Sequence, residues 1–99
     1  MREQVTKAIQ QMKAAGFARN EFKVKIEHYH VHNYDRVRIR VVGREAETLI
    51  EARKDAILAA GLGIDRTVLG SGYVMWTILA GESHAGKFTE TVRAAEITV

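Results

Sequence analysis

Two stretches of strict alternation constrain this chain more than any other feature. Phe22, Val24 and Ile26 alternate with Lys23, Lys25 and Glu27; Val37, Ile39 and Val41 alternate with Arg36, Arg38 and Arg40. Period two is the mark of an extended strand, whose successive side chains point to opposite sides. Each run therefore has a dry side and a wet side, and the dry sides need a common cover. Between the runs stands His32-Asn33-Tyr34-Asp35, where Asn and Asp bond their own backbone and turn the chain. The pattern predicts a β-hairpin over residues 22–32 and 35–42. Symmetric closure of its turn sets Glu27 opposite Arg40, Tyr29 opposite Arg38, Ile26 opposite Val41 and His28 opposite Ile39. The wet face then gains an ion pair and a cation–π contact, whereas a one-residue slip would drive arginines into the core.

The cover comes from helices. Val5, Ala8, Ile9, Met12 and Ala15 recur at helical spacing, which predicts a helix over residues 2–15. Ala46, Leu49, Ile50, Ala56, Ile57 and Ala60 predict a second over residues 44–60, with Arg53 snorkelling from the same stripe. Gly16-Phe17 and Gly61-Leu62 close them alike, a glycine for a left-handed cap and an apolar residue to pack back. Residues 64–69 and 73–80 read as strands joined by Gly70-Ser71-Gly72. A loop over 81–86 and a last strand over 87–99 come next, with a break in alternation at Ala94-Ala95.

The expected fold is thus a single α+β domain over residues 1–99. Two helices pack on one face of a mainly antiparallel sheet, in the order α-β-β-α-β-β-β. The run 35–42, the second helix and the run 64–69 form a β–α–β crossover. This order resembles a circularly permuted ferredoxin-like sandwich, an analogy of fold that carries no function. Ninety-nine residues leave no room for a second core. No window approaches the ~18 apolar residues of a membrane helix, and Met1-Arg2-Glu3-Gln4 does not open an apolar leader. Cysteine is absent, which excludes disulfides and thiol chemistry and makes a cytoplasmic protein the expectation.

Three signals bear on chemistry. The first is His28-Tyr29-His30-Val31-His32. On a strand its three imidazoles share a side, and His84 from the 81–86 loop is a candidate fourth. Imidazoles in that number suit zinc or another divalent transition metal. The plainer reading makes His28 and His30 the rim of the core and His32 a turn residue. The second is the wet face of the hairpin, where Lys23 and Lys25 join Arg36, Arg38 and Arg40, with Arg44 just beyond. Residues 1–44 hold ten Lys and Arg against four Asp and Glu, and residues 45–99 hold five against eight. With Tyr29 and Tyr34 nearby, such a face suits phosphates and a stacked base, or an acidic protein surface. The plainer reading is a solvated face that keeps the sheet edge from pairing. The third, Gly81 to Lys87, has phosphate-loop spacing as far as the lysine. Phe88 then stands where Ser or Thr would hold magnesium, and no helix follows.

No nucleophile elbow or paired catalytic carboxylates stand out, so catalysis is not expected. The expectation is a small non-enzymatic binding or regulatory module that engages an acidic partner, protein or nucleic acid, through the basic hairpin. The alternative is a protein that binds metal through His28, His30 and His32. The side of the sheet bearing Tyr73, Met75 and Leu79 also looks bare and offers a dimer surface, as does an edge strand. Reversing the charges of Arg38 and Arg40 together is expected to abolish partner binding and leave the circular dichroism spectrum intact.

Overall fold

A computed structural model describes residues 2–29 and 34–92. Helix α1 (Arg2–Ala14) leads through a 3₁₀ turn (Arg19–Glu21) into β1 (Phe22–Tyr29) and β2 (Tyr34–Val41). Helices α2 (Ala46–Ala52) and α3 (Lys54–Ala59) come next, then β3 (Gly63–Val68), β4 (Val74–Ala80) and β5 (Phe88–Val92). The five strands form one sheet in the order β1-β2-β4-β3-β5. Three pairings are antiparallel and β3–β5 is parallel, so the fold is α+β with a mixed sheet. Residues 30–33 and 93–99, including His30, His32 and Ala94-Ala95, lie outside the described part. Among the described residues no helix is long and apolar enough to cross a membrane.

The dry sides of the strands meet the apolar stripes of the helices as the alternation demands. Phe22, Ile39, Ile64 and Ile78 are at most 1% exposed and share one core with Ala8, Met12 and Ile57 at 0%. Both helical stretches end in the same device. Gly16 (φ 99°) and Gly61 (φ 90°) are left-handed. Phe17 N–H reaches back to the Met12 carbonyl at 3.1 Å, and Leu62 N–H to that of Ile57 at 3.3 Å. Phe17 and Leu62 are thereby pulled into the core.

The second helix and the hairpin register differ from expectation. The helix over 44–60 begins only at Ala46 and breaks at Arg53, which leaves helical geometry (φ −106°, ψ 13°). Arg53 is the one cation in that apolar stripe. It does not simply snorkel: its guanidinium covers the Phe17 ring at 4.6 Å and lies 3.6 Å from Glu21 Oε1. The hairpin register also differs. Glu27 faces Arg36, not Arg40; Lys23 faces Arg40; Tyr29 faces Tyr34; and His28 faces Asp35. The observed pairing lets Glu27 accept from both Arg36 (3.2 Å) and Arg38 (3.0 Å) and sets His28 Nδ1 2.5 Å from Asp35 Oδ1. The shift is four residues, an even number, so every side chain keeps its expected face. Lys23, Lys25, Arg36, Arg38 and Arg40 all stand opposite the helices.

The connections between strands differ at the two ends of the sheet. β2 and β3 both run antiparallel to β4, so they run parallel to each other, and α2 and α3 bridge them over β4. β4 and β5 lie on opposite sides of β3. The 81–87 segment therefore does not join neighbouring strands as a hairpin turn, but crosses over the start of β3. There it rests on Gly63: a Cβ at that position would stand 2.5 Å from the His84 carbonyl oxygen. Gly63→Ala is thus expected to cost about 1–3 kcal/mol by overpacking, against about 2–5 kcal/mol for emptying the core with Met12→Ala. Urea denaturation measures both.

Candidate functional site

β2 and β4 are paired over only three positions, Val37–Ala80, Arg38–Leu79 and Ile39–Ile78. Both strands run on, β2 to Val41 and β4 back to Val74. The end of β2 belongs instead to the β1 side, where Val42 N–H bonds the Glu21 carbonyl at 2.9 Å. Where the ladder stops a cleft of about 710 Å³ opens. Lys23, Lys25, Arg38 and Arg40 line one side and Tyr73 and Met75 the other, with Ile50 of α2 beneath and Arg44 beyond the end of β2. Strand alternation also fixes the backbone here. Val42 bonds toward β1, so Val41 turns its N–H and C=O toward the cleft. The Leu69 N–H takes the Tyr73 carbonyl at 2.8 Å, so Trp76 turns its backbone groups the opposite way, toward β2.

The electrostatics of this cleft are one-sided. Five cations line it, against Glu47 as the one carboxylate among the described residues. Arg38 is partly neutralised by Glu27, which also holds Arg36. Lys23, Lys25, Arg40 and Arg44 are exposed and make no ion pair with any described residue. Beside them Tyr73 is 60% exposed and Met75 37%. Exposed apolar side chains and unpaired cations thus share one cleft, the composition of a docking surface. Leu79, expected to be bare on the same face, is 7% exposed.

Of the residues expected to bind a partner, Lys23, Lys25, Arg38, Arg40 and Arg44 converge on the cleft. Arg36 does not: it turns to Glu27 and to the other end of the sheet. Tyr29 and Tyr34 stand as cross-strand partners at the far end of the hairpin from the cleft, and their side chains lie outside the described part. Sequence reasoning missed Tyr73 as the aromatic partner of the basic residues. Its alternation with Met75 and Leu79 puts it on the same face, but only the β2–β4 adjacency brings it into one cleft with Lys25 and Arg40.

The expected metal-binding histidines divide. His28 is tied to Asp35, His84 sits in the crossing loop, and His30 and His32 lie outside the described residues. Among the described residues no three His, Cys, Asp or Glu side chains gather closely enough to hold a metal ion. The phosphate-loop spacing ends in strand β5, with Phe88 packed toward Trp76 at 6.1 Å between ring centres.

A second cleft, of about 560 Å³, lies at the opposite end of the sheet between α1 and the crossing loop. Lys7, Arg36 and His84 line it together with Asp35 and Glu82, so its charge is mixed. Burial, with Arg36 and Lys87 nearby, holds the His84 imidazole below its ordinary pKa of 6.5. Comparison with family models, curated proteins and solved structures returns no match for this chain.

His84 has a measurable consequence. The folded chain favours its neutral form, so as pH falls through 6.5 the unfolded chain takes up the proton first. The contribution is therefore fully present above that value and is lost as pH falls toward the lower folded-state pKa. The melting temperature is expected to fall between about pH 7.5 and about pH 5.5, and to fall less in His84→Asn.

Proposed function

We propose that this protein is a small non-enzymatic binding module that engages an acidic partner through the basic cleft between β2 and β4. One observation carries the reading: Lys23, Lys25, Arg40 and Arg44, exposed and without an ion pair among the described residues, surround a cleft whose other wall is an exposed tyrosine. Like charges gathered this closely repel one another, and a polyanion relieves that repulsion as it docks. The solvated-face reading accounts for charge along the strands. It does not account for the exposed Tyr73 and Met75 that share a cleft with that charge. The cysteine-free composition suits a cytoplasmic setting for such a module.

The cleft makes Lys25 and Arg40 better targets than the pair Arg38 and Arg40, because Arg38 already answers Glu27 at 3.0 Å. The wild-type protein is expected to be retained on immobilised heparin and on poly-glutamate and to be released by salt. The double variant Lys25→Glu, Arg40→Glu should elute at much lower salt with an unchanged circular dichroism spectrum. Equal retention of the two proteins, or no retention of either, would refute the proposal.

A further inference from the structure

Resting on that reading, we infer that the acidic partner is a single-stranded nucleic acid, with one unpaired base stacked on Tyr73 and phosphates along the same strand on Lys23, Lys25, Arg40 and Arg44. Three features of the cleft carry the inference. First, the cations come as two rows on one sheet face: Lys23 and Lys25 are two residues apart on β1, and Arg38 and Arg40 two apart on β2, with Lys23 and Lys25 directly across from Arg40 and Arg38. Side chains two apart on a strand are spaced by roughly 6.6 Å, so the face presents repeated positive charge along the path of an extended backbone. Second, Tyr73, 60% exposed, lines the same cleft as those rows, toward the start of β4. Every base has a π-face, so an aromatic platform within a basic groove binds single strands with little regard to sequence. Third, the cleft is concave and about 710 Å³, within the range of small-ligand pockets. At its margin the backbone groups of Val41 and Trp76 are turned inward, where a base edge can meet them.

The same features argue against other polyanions. In a duplex the base faces are hidden in the stack, which leaves Tyr73 without a partner. A simple acidic peptide answers the cations but not the ring. Trp76, the one tryptophan in the chain, lines the cleft and reports on its occupation.

The test is a titration of a fluorescein-labelled oligothymidylate of about 12 nucleotides, inside the ~4–16 nucleotide span of comparable sites. It is read by anisotropy, and an unlabelled strand is followed by Trp76 emission. Tight binding at low salt should weaken with a slope of about −3 in log K against log salt, from four phosphates neutralised on a single strand. Tyr73→Ala should lose about ten-fold or more in affinity while Tyr73→Phe stays near the wild type. The matching duplex should bind more weakly than the single strand, and Lys25→Glu, Arg40→Glu should abolish the Trp76 response. Wild-type affinity in Tyr73→Ala with its fold intact, or a duplex that binds as tightly as the single strand, overturns the stacking inference. Oligothymidylate that fails to bind while poly-glutamate is still held through Lys25 and Arg40 overturns it too, and leaves the acidic-partner reading standing. Failure of every polyanion overturns both.

Discussion

The pleat of β2 keeps two incompatible chemistries one residue apart. Val37, Ile39 and Val41 are at most 6% exposed beneath the helices, and Arg36, Arg38 and Arg40 project the other way. Neither set can exchange places with the other. Apolar surface gains roughly 25 cal/mol per Å² on leaving water, while an unpaired guanidinium in a core costs several kcal/mol. Burial of the valines and isoleucine therefore dictates where the arginines stand. β1 repeats the arrangement, and the basic face is the unavoidable outer side of the core.

That face becomes a site only because of how β4 is shared. β4 lies between β2 and β3 and is matched from Val74 to Leu79 by β3, but by β2 at three positions. The end of β2 is clamped to the other side through the Val42–Glu21 bond. Strands held by different neighbours part, and the cleft is the space between them. At the opposite end the demand is the reverse. The connection from β4 to β5 must cross β3, and the crossing loop lies so close that Gly63 has no room for a side chain. At one end of the sheet the crossing backbone thus packs onto the start of β3, and at the other the strands part beside a cluster of cations.

The errors of sequence reasoning have the same physical origin. The hairpin register stands four residues from the symmetric one, yet every side chain keeps its expected face, because sidedness depends only on parity while register depends on cross-strand partners. Glu27 between Arg36 and Arg38, and Asp35 beside His28, accompany the observed register, and neither pairing is visible until the strands are laid together. The break at Arg53 is of the same kind. Its spacing belongs to a continuous helix, and its attraction to Phe17 and Glu21, far away in the chain, is a tertiary fact.

The sequence by itself determined which residues are dry and which are wet, where the two helical stretches end, and that five basic residues of the hairpin share one side. These depend on local periodicity and on glycines that alone tolerate the left-handed cap. Only the tertiary structure decided that β4 rather than β3 lies next to β2, and hence that Tyr73 and Met75 line the same cleft as Lys23, Lys25, Arg38 and Arg40. Strand adjacency is set by long-range packing and hydrogen-bond closure, which leave no periodic trace along the chain.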